Sequence, residues 1–299
     1  MTEKSKELFY KSLSEANYVW IILSLVIGVI SYYSRAYRWK YALEPMGYES
    51  SSINRFYAVM IGYMINLTLP RAGEASRAVA LSKSDGVPFT VGFGTIVSER
   101  IVDIIFLLAI TVVSFFLGQD DFLKIKGLIE AYFGPKSGSS ATFYIVIFSI
   151  LLLTILILFI SQKMRAKVSE VVSSLYKSAL SIFKTKNPLA YILHSLLIWI
   201  CFLVMFYLPF LSFDSTKDLP LSCVLLAFVA GSLGISLTNG GLGSYPLLVG
   251  IVVAYFLTDL PQDEAFAIGN ALGLIVWVSQ TLLLIVLGLI SWFLIPKKI

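Results

Sequence analysis

Residues 66–77 read N-L-T-L-P-R-A-G-E-A-S-R. They close an apolar segment, 53–69, with a proline, a glycine, two arginines and a glutamate, and a second polar group, Ser98, Glu99, Arg100 and Asp103, enters the next apolar segment. Ionisable groups at membrane depth are disfavoured, by about 2.5 to 3.5 kcal/mol each on insertion scales. Where they occur they mark a functional site by default.

The surroundings make membrane depth the relevant frame. The 299 residues are 58% hydrophobic and 14% charged, with a mean hydropathy of +0.84, which is far more apolar than a soluble domain. The polar start, M-T-E-K-S-K-E-L-F-Y-K, has no pattern of a cleaved signal peptide. Cys201 and Cys223 sit in apolar runs without His or acidic neighbours at ligand spacing, so neither a disulfide framework nor a metal site is expected, and no cofactor is implied. Walker A, H-E-x-x-H, G-x-S-x-G and D-x-D patterns are missing from the sequence. ATP hydrolysis, proteolysis and nucleotide-sugar transfer therefore lack support, and the net charge of +5 matters through where the bases sit rather than as a nucleic-acid footprint.

Outward from the polar stretch, Tyr18 to Ser34 reads as a span flanked by the aromatic residues Tyr32, Tyr33, Tyr37, Trp39 and Tyr41. Arg35, Arg38, Lys40 and Arg55 follow, and the positive-inside rule makes theirs a cytoplasmic loop, with the N-terminus external. The segment 53–69 ends at Pro70, and 71–84 is too polar and short to cross back, which predicts a re-entrant hairpin with its apex at Asn66, Pro70 and Gly73. The long helix from Pro88 to Gly118 has only Ile104 to Leu117 uninterrupted, about 21 Å of rise, so Glu99, Arg100 and Asp103 fall inside the bilayer. Residues 119–140 read as an external loop, 142–160 as a span, and 163–186 as a basic amphipathic helix on the cytoplasmic surface. Asn187-Pro188 opens a span to Phe213 that carries His194, read as an interfacial or packed side chain. A second apolar segment, 221–237, breaks at Asn239, Gly240, Gly241 and Gly243 before 245–257 returns. A last helix, 265–295, ends at Lys297 and Lys298, which place the C-terminus in the cytoplasm.

An offset of about 170 residues lays Leu67-Thr68 on Leu237-Thr238 and Gly73 on Gly243, and the order span, broken hairpin, long helix repeats with it. The expectation is an all-α polytopic membrane protein of one domain, residues 1–299, built of two inverted-topology repeats. Repeat one covers about 18–118 and repeat two about 188–296, joined by a connecting span and amphipathic helix over 140–187.

Arg71, Arg77 and Arg100 supply guanidinium forks suited to a lipid phosphate, while Glu74, Glu99 and Asp103 can orient those forks or respond to a coupled ion. Asn270 and Gln280 in the last helix are the polar counterparts of the Glu99 region in the second repeat. The competing reading is a buried salt-bridge cluster that locks hairpin to helix and needs no ligand.

At these residues the chain resembles the lysylphosphatidylglycerol synthase transmembrane, or flippase-like, family. The matching stretches are S-R-A-Y-R-W-K at 34–40, N-x-x-L-P-R-A-G-E-A-S-R at 66–77, S-E-R-x-x-D at 98–103 and G-G-L-G at 240–243. The resemblance implies a multi-pass protein of the bacterial or archaeal inner membrane, in whose multidomain relatives this module looks to move aminoacylated phosphatidylglycerol between leaflets. With the arginines above, the expectation is translocation of an anionic phospholipid or isoprenoid-phosphate lipid by alternating access, with membrane lipids and a lipid-synthesising enzyme or a second copy of the chain as partners. The resemblance does not imply lipid synthesis, because the soluble aminoacyl-transferase part of multidomain relatives has no counterpart in these residues. Relatives often carry a further hydrophobic segment ahead of Tyr18, and an acidic residue where this chain has Ser244. The alternative expectation is a membrane enzyme transferring a glycosyl or aminoacyl group to or from a lipid-linked substrate, for which Glu99 and Asp103 are the candidate base.

Overall fold

The computed structural model describes residues 3–69, 71–119, 121, 123–125, 127, 128, 173 and 185–296, with the backbone alone for Leu237 and Asn239. The loop, span and amphipathic helix expected over 119–186 lie almost wholly outside the described residues, as do Pro70, Lys297 and Lys298.

The N-terminal polar residues form helix α1, Glu3–Glu15, and Asn17 then caps helix α2, Tyr18–Leu43, by accepting from the Val19 amide. The structure corrects the expected end of this span at Ser34. No proline or glycine follows Gly28 until Pro45, and Ala36, Arg38, Lys40 and Ala42 all favour helix, so α2 runs on unbroken through the basic residues. A turn at Glu44–Met46, closed by Gly47 with φ 80°, reverses the chain into α3, Ser52–Thr68. Leu69 is extended and Arg71 is left-handed, with φ 62°, so the helix direction is lost before α4, Ala72–Asp85, begins. Gly86, at φ 75°, ends α4 and leads to α5, Phe89–Leu117.

The second half also contains a broken helix pair. Asn187 and Pro188 start α6, Pro188–Tyr207, and a tighter turn at Leu208–Ser212 ends it. Helix α7, Leu221–Leu237, breaks at 238–243, where Gly240, Gly241 and Gly243 all have positive φ. Helix α8, Ser244–Phe256, returns, and α9, Gln262–Leu294, closes the described chain. Among the described residues there is no strand. Four helices among the described residues, α2, α5, α6 and α9, are long and apolar enough to cross a membrane, which makes this an all-α polytopic membrane protein. At 1.5 Å per residue α3, α7 and α8 rise only about 20 to 26 Å, too short to cross alone.

The contacts fix how the broken pairs lie. Helices α3 and α4 fold back on each other, and their open ends are tied where the Asp85 carboxylate accepts from the Ser51 amide (3.2 Å) and Asn54 Nδ2 (2.6 Å). Their backbones touch higher up: a Cβ on Gly62 would lie 2.8 Å from the Gly73 carbonyl oxygen, and one on Gly73 would run into the Gly62 carbonyl. Helix α5 starts beside that open end and finishes at the other one. Gly118 there packs on Ser222 and Leu226 at the start of α7, and the Tyr255 hydroxyl near the end of α8 donates to Asp121 (2.8 Å). The two hairpins therefore open toward opposite ends of α5. Their tips meet: Gly240 packs against Leu67, close enough that a Cβ there would sit 3.5 Å from the Leu67 Cα.

Two apolar cores flank this junction. One joins α2, α3, α4 and α5 through Trp39, Leu43, Met60, Leu81 and Ile96; the other joins α6, α7, α8 and α9 through Phe206, Leu226, Leu248, Val252 and Leu272. Helix α1 packs on the start of α9, with Lys4 Nζ 2.5 Å from Glu264 and Ser5 Oγ 3.0 Å from Asp263. Asp263 and Glu264 form the first turn of α9, with Asp263 exposed and Glu264 buried.

Candidate functional site: the hairpin tips and the arginine cluster

The carboxylates of α5 organise a buried charge cluster. Glu99 accepts from both terminal nitrogens of Arg77, at 2.9 and 3.0 Å, in a fork-to-fork pair. Asp103, one turn on, takes Arg35 at 2.6 Å and Arg38 at 3.2 Å, and Arg38 also lies 3.7 Å from Glu99. Spacing explains the match: Arg35 and Arg38 are three apart on α2, Glu99 and Asp103 four apart on α5, so each pair shares a helix face. Arg77 is further held over the Trp39 ring, 3.8 Å from its centre, while the indole N–H of Trp39 donates to Thr95. Three guanidiniums face two carboxylates, which leaves one net positive charge. Among the described residues the Nε–H groups of Arg35, Arg38 and Arg77 have no acceptor, so the cluster also has unused donor capacity.

Sequence reasoning did not find Arg35 and Arg38. They were expected in a cytoplasmic loop, but α2 carries them inside the protein, at 2% and 0% exposure, where they share the Asp103 carboxylate. Trp39 and Tyr32, expected in an interfacial belt, are likewise buried, whereas Tyr33 is half exposed. The available signal was the helix-favouring run from Ser34 to Leu43, which places two arginines on one face.

A smaller, more open pair lies outside the cluster. Arg100 forms an ion pair with Glu74 at 2.8 Å and lies 3.6 Å from Asp103. Asn66 braces this region from α3: its carbonyl oxygen accepts from the Gly73 amide (2.8 Å), and its Nδ2 donates to Glu74 (3.3 Å). Asn66, Gly73, Glu74, Arg77 and Arg100 line one hollow with Val59, Gly62 and Tyr63. Its volume is about 10 Å³, room for roughly one water and no lipid head. The expected set of six charges therefore divides. Arg77, Glu99 and Asp103 are buried in ion pairs, Glu74 and Arg100 guard the hollow, and Arg71 is exposed at the hairpin tip, outside the hollow's lining.

The second tip is closed without charge. Ser244 Oγ donates to the Gly234 carbonyl (2.7 Å) and shares a 2.7 Å bond with the Thr238 hydroxyl, and Trp277 Nε1 donates to the Gly240 carbonyl (2.7 Å). Trp277 was not among the expected site residues; Asn270 and Gln280 were. Both are half-buried on α9, and neither is joined by a side-chain hydrogen bond to the arginine cluster among the described residues. Asn270 instead offers its backbone to Gly250, where α8 crosses α9. His194 on α6 pairs with the Ser34 hydroxyl (2.9 Å) and packs on Tyr37 and Tyr41.

Comparison with known proteins finds a family match over almost the full length. Residues 3–288 match the lysylphosphatidylglycerol synthase TM region family. The chain belongs to that family. It is 25% identical to the UPF0104 membrane protein MJ1595 of Methanocaldococcus jannaschii, an alignment covering 97% of this chain and 88% of that one. It is 30% identical to glycosyltransferase AglD of Haloferax volcanii over 94 residues, which is 31% of this chain and 15% of that protein. No solved structure matches. As a family member the chain is a multi-pass membrane protein whose surroundings are membrane lipids.

Proposed function

We propose that the protein moves an anionic phospholipid or an isoprenoid-phosphate lipid between leaflets by alternating exposure of a polar path at the hairpin junction. The observation that carries this reading is the meeting of two interrupted hairpins at Leu67 and Gly240, with their open ends at opposite ends of α5. Taken as inverted-topology repeats, they bring irregular backbone together partway through the membrane, which is tolerated where it is buried in protein or lines a wet path. Beside it the arginine cluster carries one surplus positive charge and three unfilled N–H groups, a preference for an anion.

The described conformation is closed. A head group reaches the hollow only when Arg100 and Glu74 part, so Arg100 is the first guanidinium to meet its phosphate, and Arg71 flanks the approach at the tip. Arg77 becomes available only if Glu99 passes to Arg38, 3.7 Å away. The acyl or isoprenoid tails stay in lipid throughout. The end of α2, with Lys40 and Lys83 near it, faces the cytoplasm of the cell, and the N-terminus faces out.

The enzymatic alternative draws on the partial similarity to a protein named as a glycosyltransferase. It needs a base near its substrate, and Glu99 and Asp103 are both buried and clamped by arginines, which disfavours that role. The test is redistribution of fluorescent phosphatidylglycerol in proteoliposomes, followed by dithionite quenching. Protein-dependent quenching of the inner-leaflet fraction, larger for phosphatidylglycerol than for phosphatidylcholine, is expected. Quenching no different from empty vesicles overturns the reading.

A further inference from the structure

The end of α2 and the start of α3 enclose a second cavity, far larger than the hairpin hollow. It measures about 290 Å³, near the lower end of the range for small-ligand sites, and is lined by Lys40, Glu44, Tyr48, Glu49, Ser50, Ser52 and Arg55. The polar turn 44–52 follows a membrane span, so this cavity lies at headgroup depth rather than in the hydrocarbon.

Arg55 is the informative residue. It is 1% exposed, as buried as the arginines of the central cluster, yet all its hydrogen bonds go to neutral oxygens. Its Nε donates to the Ala36 carbonyl (2.9 Å), Nη1 to the Ser50 carbonyl and hydroxyl, and Nη2 to the Ser52 hydroxyl (2.9 Å). Arg35, Arg38 and Arg77 each face a carboxylate within 4 Å; among the described residues Arg55 has none. Asp85 is engaged by Ser51 and Asn54 and Glu44 by Lys40 at 3.4 Å, while the third acid, Glu49, is exposed and lines the same cavity without an ion pair to Arg55 among the described residues. A buried charge without a counter-ion is costly, and here it lines an open cavity beside a second cation.

We propose that this cavity binds a phosphate group, with Arg55 supplying the buried charge, Lys40 exchanging Glu44 for the incoming oxyanion, and the hydroxyls of Ser50 and Ser52 completing the donor set. Oxyanions suit a fixed fork combined with a mobile ammonium, and at this depth the abundant oxyanion is the phosphodiester of a lipid head. The site goes beyond the transport reading and stands without it. Glu49 and Glu44, on the same wall, tune the site against a second negative charge.

The test is thermal unfolding of the purified full chain in a non-ionic maltoside detergent, titrated separately with dihexanoyl-phosphatidylglycerol and with inorganic phosphate. A saturable rise in Tm is expected, and Lys40→Ala should move its half-effect concentration up at least tenfold, while Glu49→Gln moves it down. A rise with the short-chain lipid alone assigns the phosphate to a lipid head; an equal rise with inorganic phosphate assigns it to the free ion. Arg55→Lys, which keeps charge and loses the fork, should weaken binding; if that variant does not fold, Lys40→Ala and Ser52→Ala carry the test. No saturable rise with either probe overturns the proposal. So does a rise that Arg100→Ala abolishes and Lys40→Ala spares, since that places the phosphate in the hairpin hollow.

Discussion

Removing charges one at a time from the central cluster should have unequal costs, and the inequality follows from its surplus positive charge. Glu99→Gln takes away the carboxylate that holds both arms of Arg77 and helps hold Arg38, leaving Asp103 alone against three guanidiniums. Breaking a buried pair in this way costs about 3 to 5 kcal/mol, because the charges left behind are uncompensated. Arg77→Met removes the same pair from the other side, but the remaining two arginines and two carboxylates balance, and Glu99 keeps Arg38 nearby. Its cost is lost hydrogen bonding and the contact over Trp39, about 1 to 3 kcal/mol. The double variant Arg77→Met/Glu99→Leu restores the original surplus and replaces ions by apolar volume, so it should be more stable than Glu99→Gln alone. Reversible unfolding in mixed micelles titrated with sodium dodecyl sulfate reads all three. If Arg77→Met is as damaging as Glu99→Gln, or the double variant is the worst, the charge accounting is wrong.

Gly73→Ala should destabilise by about 1 to 3 kcal/mol in the same titration, since its Cβ meets the Gly62 carbonyl and Asn66 where α3 and α4 touch. Arg71 has φ 62°, so Arg71→Gly should raise stability by about 1 kcal/mol through relief of backbone strain, while slowing lipid redistribution if its charge guides the phosphate. Trp277→Phe deletes the bond to the Gly240 carbonyl and should cost about 1 kcal/mol, seen as a lower unfolding midpoint. Glu74→Gln weakens the latch on Arg100 and should increase the rate of phosphatidylglycerol redistribution in the dithionite assay without lowering stability by more than about 1 kcal/mol, because this pair is partly exposed.

The breaks were legible because proline, glycine and charge in an apolar segment admit few structures, and both 66–77 and 239–244 interrupt their helices in the structure. Glu99 and Asp103 were legible as a shared helix face. Their partners were not. Arginines next to a span obey the positive-inside pattern whether they face water or a buried carboxylate, and only the course of α2 past Ser34 decides between the two for Arg35 and Arg38. Trp277 escaped for a related reason: on an apolar helix, nothing in sequence separates a tryptophan that packs from one whose N–H holds a glycine carbonyl 37 positions away. Arg55 looked like one more surface base, and its burial depends on a turn that folds Ser50 and Ser52 over it.

The central claim is that the junction of the hairpin tips opens during lipid movement. Cysteines at Leu67 and Gly240, in a chain with Cys201→Ala and Cys223→Ala, put a removable lock across that junction. In proteoliposomes, phosphatidylglycerol redistribution should stop when the pair is oxidised and return when it is reduced. Redistribution that continues unchanged with the cross-link fully formed would contradict the account.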